Sequence, residues 1–196
     1  MPYQPRVVDA ELVRRLGATG AVVIEGPKAC GKTATARQVA ASETLLDVDE
    51  NAQRAIDIDP TLVLAGPVPR LIDEWQIKPA IWNHVRRAVD ERGKPGQFIL
   101  TGSAVPADDI TRHTGAGRIA RLRMRPMTLA ESGHSTASIS LKALLDGITP
   151  SSPETGLTVP ALAERIATGG WPGRVKPHGQ SGGASGTGIS RGNPPR

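Results

Sequence analysis

The feature that most constrains this chain is an eight-residue turn directly after a short apolar run. Residues 21–24 read Ala-Val-Val-Ile, and the turn consists of Gly26, Pro27, Lys28, Ala29, Cys30, Gly31, Lys32 and Thr33. This is the spacing of a phosphate-binding P-loop, in which glycines let backbone N–H groups face phosphate oxygens. The helix expected after the turn adds its positive N-terminal end. The pattern predicts a nucleotide site, and a chance match in a glycine-rich chain is the alternative.

Three side chains of this turn have separate predicted roles. Lys32 is expected to bridge the β- and γ-phosphates of a bound nucleotide, and Thr33 to bind Mg²⁺ through its hydroxyl. Cys30 is expected to fill a variable position of the loop. Alternatively, its oxidation or alkylation blocks the entry of phosphate.

A second candidate site lies where residues 70–74 end in two acids, Asp73 and Glu74. A P-loop nucleotidase needs an acid at the end of a neighbouring strand to hold Mg²⁺ through water. It also needs a group that deprotonates the attacking water. We expect Asp73 to lie on the metal side and Glu74 to be the catalytic base. A helix cap or a solvated turn is the alternative for both acids.

Two hydroxyl groups follow at the end of the next predicted strand, residues 98–103. In a parallel sheet the strand ends meet at one edge, so Thr101 or Ser103 is expected to approach the γ-phosphate or the attacking water. Simple capping of the strand end is the alternative, and the pattern does not choose between the two hydroxyls.

Five arginines without an intervening acid fall within residues 112–125. Those at 121, 123 and 125 alternate, which is typical of a solvated edge strand. Arg118 precedes that strand and is the candidate for stabilising γ-phosphate charge, either within the chain or across a subunit interface.

The order of predicted elements indicates an α/β fold with a central parallel sheet. Strands are expected at 21–24, 45–48, 70–74, 98–103 and 118–125, and helices at 9–16, 32–42 and 79–92. One or two short helices are expected within 51–65, broken at Asp59-Pro60, and two weaker ones at 141–146 and 159–167. Alternating strands and helices are typical of α/β proteins, and continuous apolar strands are typical of parallel sheets.

Composition adds limits on partners and location. The formal charge of +5 includes four cations within residues 172–196, which hold no acid, so the rest of the chain carries only +1. The charge is therefore weak support for a nucleic-acid partner. A single cysteine, no signal-peptide pattern and no long apolar stretch favour a cytoplasmic protein without a membrane span. Residues 172–196 are rich in Gly, Ser and Pro and are predicted to be disordered.

Several stretches, in this order, resemble the prokaryotic AAA-type ATPases that carry a C-terminal domain of unknown function. They are residues 22–33, Leu71-Ile72-Asp73-Glu74-Trp75-Gln76, Phe98-Ile99-Leu100-Thr101-Gly102-Ser103-Ala104, Gly117-Arg118-Ile119 and Arg125-Pro126-Met127-Thr128-Leu129-Ala130-Glu131, with a weaker echo at Gly169-Gly170-Trp171-Pro172. The resemblance implies an αβα sandwich that binds ATP and Mg²⁺. It assigns Lys32 and Thr33 to the Walker A motif and Asp73 and Glu74 to the Walker B motif. It places residues 101–103 at the sensor position and Arg118 at an arginine that often precedes the last core strand.

The resemblance also suggests a domain organisation. Residues 1–135 are expected to form the ATP-binding domain, 136–171 a partial helical extension, and 172–196 the basic tail. Because members of the family usually continue into a second domain, we hypothesise that this chain is a truncated member that keeps the ATPase core. A homo-oligomer is a further hypothesis. A nucleotide-binding switch or DNA-associated module with little turnover, or a non-functional remnant, is the alternative to an active ATPase.

Overall fold

The computed structural model describes residues 2–102, 115–151 and 156–175. Its elements alternate as the sequence predicts, and a 3₁₀ turn lies at Trp75–Ile77. In chain order they are α1 (Val8–Ala18), β1 (Ala21–Glu25), α2 (Lys32–Arg37), β2 (Ser42–Leu45), α3 (Glu50–Ile58), α4 (Thr61–Leu64), β3 (Arg70–Asp73), α5 (Ile81–Arg92), β4 (Phe98–Gly102), β5 (Ile119–Arg123), α6 (Leu141–Leu145) and α7 (Val159–Thr168).

The five strands form one parallel sheet in the order β2-β3-β4-β1-β5. Strands β1 and β4 are central, and both are almost entirely buried, as continuous apolar runs predict. Because every strand runs in the same direction, all carboxyl ends meet at one edge of the sheet. That edge receives the turn after β1 and the two acids after β3.

Each face of the sheet has its own hydrophobic core. Helices α3, α4 and α5 cover one face, where Trp82 and Val85 pack against strand residues such as Val23 and Leu100. Helix α1 and the start of α2 cover the other face, where Leu12 packs among residues that include Val22. Alternating strand side chains therefore point to opposite layers. This arrangement is the predicted αβα sandwich.

The largest boundary errors concern two predicted elements. Helix α2 ends at Arg37 rather than at residue 42, because residues 38–41 turn and the Ala41 N–H bonds to Pro69 to enter the sheet. Strand β2 covers 42–45 rather than 45–48, because it pairs in register with β3 up to Asp73. The chain then turns into α3, where Asp49 caps the helix by accepting a hydrogen bond from the Ala52 N–H.

The part that follows β5 is less buried than the sheet. Neither α6 nor α7 contains a buried residue. After α7 the chain turns back, and Val175 is buried at 7% exposure. Pro172 and Val175, which we assigned to the tail, therefore lie against the domain, whereas residues 176–196 lie outside the described part. Within the described ranges, none of the helices combines the length and apolarity that a membrane crossing requires.

Candidate functional site

The turn at 26–33 joins the end of β1 to the first residue of α2. Ala29 and Gly31 adopt left-handed backbone conformations, with φ of 62° and 104°. Gly26 is required for a steric reason, since a Cβ atom there would lie 2.3 Å from the carbonyl oxygen of Met124. The loop thus has the tight, strained backbone that a phosphate cradle needs.

Lys32 is buried and folds back onto its own loop. Its Nζ donates hydrogen bonds to the carbonyl oxygens of Gly26, at 3.0 Å, and Pro27, at 2.9 Å. Side-chain and backbone groups of the loop therefore converge on the same small space. A phosphate group entering this space would compete with those two carbonyls for the ammonium.

Asp73 connects the loop to the neighbouring strands. The Thr33 hydroxyl lies 2.9 and 3.1 Å from the two carboxylate oxygens of Asp73, and the Thr101 hydroxyl donates to Oδ1 of the same carboxylate. Thr101 is fully buried and Asp73 is 6% exposed. The structure thus brings together the two residues predicted to hold Mg²⁺. Their oxygens are the donors that Mg²⁺ prefers, so the pair fits that ion.

Glu74 follows Asp73 at the same edge of the sheet. It adopts a left-handed conformation, with φ of 52°, and begins the 3₁₀ turn. The side-chain amide of Gln76 donates a hydrogen bond to its carboxylate. Gln76 lies close to the end of β4, since a Cβ atom at Gly102 would lie 2.3 Å from Gln76 Oε1.

A cavity of about 440 Å³ opens beside the loop and α2. Its walls come from the N-terminal segment, the start of α2 and the segment after α7, and include Tyr3, Arg6, Gly31, Ala34, Met127 and Pro172. The Tyr3 hydroxyl donates to Asp9, at 2.6 Å, and lies 3.0 Å from the Thr35 hydroxyl, which fixes one wall. Burial and the Asp9 contact raise the pKa of Tyr3 to about 12. Our sequence reasoning missed this cavity.

Comparison with known proteins identifies the family. A family model described as an AAA domain matches residues 18–133, more than half of the chain. The chain belongs to this AAA domain family. Its parallel five-stranded sheet between helical layers is the αβα sandwich that the sequence resemblance implies, and family membership indicates nucleotide binding.

Two mycobacterial proteins are similar to this AAA domain protein over much of its length. They are the uncharacterized proteins Mb2031c of Mycobacterium bovis and Rv2008c of Mycobacterium tuberculosis, each 30% identical over 141 residues. The match covers 70% of this chain but only 32% of either relative. Among solved structures, a structure of C. elegans PCH-2 is similar with a TM-score of 0.39 and 15% identity, over 86% of this chain and 57% of that one.

The structure does not place two predicted site residues of this AAA domain in the same way: one is not described, and the other lies far from the loop. Ser103 lies outside the described residues. Arg118 lies at the amino edge of the sheet, where its carbonyl accepts a hydrogen bond from the Ala21 N–H and its guanidinium pairs with Asp90 at 2.6 Å. The P-loop lies at the carboxyl edge, a strand length of about 16 Å away. A role for Arg118 at the γ-phosphate of its own chain therefore does not fit, whereas a role across a subunit interface stays a hypothesis.

Cys30 is a free, fully buried thiol whose peptide carbonyl takes part in a contact that the sequence reasoning missed. That carbonyl accepts a hydrogen bond from Arg6, which also forms a buried ion pair with Glu131 at 3.0 Å. The sequence carried a signal only for the local turn that holds Glu131, and none for its pairing with Arg6. Thr128-Leu129-Ala130-Glu131 matches a capping box, and Thr128 and Glu131 exchange the reciprocal hydrogen bonds of that motif.

Proposed function

We propose that this AAA domain binds ATP with Mg²⁺ and hydrolyses it. The observation that carries the proposal is the contact between Thr33 and Asp73 at the carboxyl edge of the sheet, beside a P-loop whose lysine is buried, with Glu74 next in the chain. A P-loop alone accounts for phosphate binding. An oxygen-rich metal site and an adjacent carboxylate are the additional groups that hydrolysis requires.

Each residue has a role that follows from its position. Lys32 leaves the Gly26 and Pro27 carbonyls and contacts the β- and γ-phosphates. Thr33 and Asp73 would hold Mg²⁺, which supplies charge neutralisation at the phosphates when bound. Thr101 directs its proton at Asp73 and so orients that carboxylate. Glu74 accepts a proton from the attacking water, and Ser103 remains our candidate for sensing the γ-phosphate.

The cavity bounded by Tyr3, Ala34 and Pro172 is the proposed pocket for the adenine base. It lies beside the first turn of α2, which follows the phosphate loop directly. Its size and largely apolar walls suit a planar base with few polar contacts. In a homo-oligomer, Arg118 of one subunit would face the nucleotide of the next. We place the activity in the cytoplasm, consistent with the free thiol of Cys30.

The test is nucleotide binding and turnover by the wild-type protein and by Lys32→Ala. Binding is measured by calorimetry, and turnover by phosphate release with and without Mg²⁺. We expect Lys32→Ala to weaken ATP binding by about a hundredfold or more, because it removes a charged contact to phosphate. Lys94→Ala is the matched control, since Lys94 is exposed at the opposite edge of the sheet. ATP binding that is the same in the wild type and in Lys32→Ala would contradict the proposal.

A nucleotide-dependent switch with little turnover is the second candidate. The observation that favours it is the hydrogen bond from Gln76 to Glu74, which occupies a carboxylate oxygen of the expected base. Wild-type protein that binds ATP tightly but releases no phosphate would support the switch and contradict the hydrolase.

A further inference from the structure

Arg6 lies where three separate segments of the chain meet. Its Nη1 donates to the Cys30 carbonyl at 2.8 Å, and its Nη2 donates to the Arg125 carbonyl at 2.8 Å. Its Nε pairs with Glu131 at 3.0 Å. The side chain is only 5% exposed. All three nitrogens of the guanidinium are thus used, and one of them is used on the P-loop.

Glu131 fixes the guanidinium from the side away from the P-loop. Its Oε1 also accepts a hydrogen bond from the Val7 N–H at 2.7 Å, and its Oε2 accepts one from the Thr128 N–H at 2.7 Å. The carboxylate is therefore held by backbone groups that do not belong to the loop. Glu131 therefore gives the Arg6 guanidinium a fixed position, from which it holds the Cys30 carbonyl.

The contact with Cys30 determines how the next peptide is oriented. In a trans peptide the C=O of Cys30 and the N–H of Gly31 point in opposite directions. Because the carbonyl faces Arg6, the Gly31 N–H faces away from it. Ala29 and Gly31 are both left-handed, and for alanine this conformation is unfavourable, so the loop gains from an external hydrogen bond that holds it.

We propose that Arg6 is a positioning residue for nucleotide binding: by holding the Cys30 carbonyl, it keeps the Gly31 N–H oriented toward phosphate. The inference rests on the proposed nucleotide site and adds to it a residue that touches no phosphate. Arg6 also lines the cavity proposed for the base, so the same side chain contacts both halves of the site.

The test compares wild type, Arg6→Lys and the surface control Arg54→Lys. Lysine keeps the charge opposite Glu131, but its ammonium is a point donor that cannot reach all three acceptors, which face three different nitrogens of the planar guanidinium. We expect the Kd and KM for ATP to rise roughly tenfold to a hundredfold in Arg6→Lys, with kcat at saturating ATP little changed. Arg54 pairs with Glu50 on an exposed helix face, so Arg54→Lys should stay within about twofold of wild type.

A purely structural role predicts the opposite pattern, because a smaller folded fraction lowers kcat and leaves KM unchanged. That pattern, or an ATP affinity of Arg6→Lys within about twofold of wild type, would overturn the inference. If Arg6→Lys does not fold, Glu131→Gln takes its place. It keeps Arg6 but loosens its anchor, and we expect a smaller rise in KM of roughly threefold to tenfold, with an unchanged KM overturning the inference.

Hydrogen exchange in the nucleotide-free protein separates this inference from the proposed function. In Arg6→Lys we expect amides of residues 28–31 to exchange about tenfold faster, while those of residues 21–25 keep their wild-type rates. Unchanged exchange in the loop would overturn the positioning role even if ATP binds. Wild-type protein that binds no ATP would instead contradict the proposed function, whatever the exchange rates are.

Discussion

The hydroxyl of Thr33 lies 2.9 Å from the nearer carboxylate oxygen of Asp73, although 40 residues separate the two in the chain. Asp73 ends β3, and Thr33 lies in the first turn of α2, which follows β1. Strand β4 lies between β3 and β1, and its Thr101 contacts the same carboxylate. The candidate metal site is therefore built across three adjacent strands of the parallel sheet. Its geometry depends on the strand order as much as on the motifs themselves.

Replacing Asp73 by Asn should reduce the contribution of Mg²⁺ to ATP binding. Asn keeps an oxygen near Thr33 but removes the negative charge that attracts the cation. We expect the gain in ATP affinity on adding Mg²⁺ to fall by about tenfold or more, as measured by calorimetry with Mg²⁺ and with a chelator. Asp57→Asn, at an exposed carboxylate paired with Lys78, is the control. A Mg²⁺ effect equal to that of the wild type would contradict the assignment.

Replacing Glu74 by Gln should separate binding from turnover. The amide cannot accept a proton from water, so phosphate release should fall about 10²- to 10⁴-fold, whereas ATP affinity should change little. Single-turnover kinetics and calorimetry on one preparation measure both quantities. The exposed Glu50→Gln is the matched control, since Glu50 is 78% exposed. Wild-type turnover in Glu74→Gln would exclude Glu74 as the base.

Filling the cavity beside α2 should weaken binding of the adenine base and leave binding of the phosphates unchanged. Ala34 is exposed on the wall of this cavity, so Ala34→Trp should compete with adenine for the space. We expect the affinity for ATP to fall about tenfold and the affinity for inorganic tripolyphosphate to remain unchanged. Ala65→Trp, at an exposed position away from the cavity, controls for the added indole. Equal losses for ATP and tripolyphosphate would argue against a base pocket.

Acid should weaken the Arg6–Glu131 link. Burial on its own raises the pKa of Glu131, but hydrogen bonds from the Thr128 and Val7 N–H groups and from Arg6 hold it below its ordinary value of 4.5. The folded protein therefore favours the carboxylate, and this stabilisation is present above about pH 4.5 and is lost as the pH falls through the lower, folded-state pKa. Urea unfolding of wild type and Glu131→Gln should show their difference shrinking between pH 6 and pH 3.5. The comparison cancels other carboxylates, such as Glu11, whose pKa is also lowered by hydrogen bonds from Arg15 and Arg14. A constant difference would contradict this account.

The turn after α7 should tolerate alanine at one glycine and not at another. A Cβ atom at Gly170 would lie 2.0 Å from the Met127 carbonyl oxygen, whereas one at Gly173 would meet nothing within 4 Å. We expect Gly170→Ala to lower the free energy of unfolding by about 1–3 kcal/mol, because rigid backbone must move. Gly173→Ala should stay within about 0.5 kcal/mol of wild type. Urea denaturation measures both, and equal stabilities would show that this segment does not pack as described.

The sequence predicted the elements whose signal is local. The apolar runs before Gly26 and after Gln97 specify buried central strands, and the spacing of Ile81, Trp82, Val85 and Val89 specifies the buried face of α5. The direction of each strand in the parallel sheet was predictable too, although we did not apply it to the position of Arg118. A residue that precedes a parallel strand lies at the amino edge, which is opposite the P-loop.

The contacts of Arg6 were not predictable in this way. Arg6 and Glu131 are 125 residues apart, and their meeting depends on β5 lying next to β1 and on the path of the N-terminal segment over α2. The capping box at Thr128 predicts a local turn, but it carries no information that Glu131 pairs with Arg6. The cavity escaped prediction for the same reason, since its walls come from segments that only the folded sheet brings together.

The cavity walls join Tyr3, near the start of the described chain, to Val175, at its end. A ligand seated there would contact both segments at once and would act as a clasp between them. Its binding energy would then oppose local opening of both segments together. Protection of residues 3–6 and 172–175 from proteolysis should therefore rise in parallel with nucleotide occupancy, so that cleavage within these two segments reports on ligand binding.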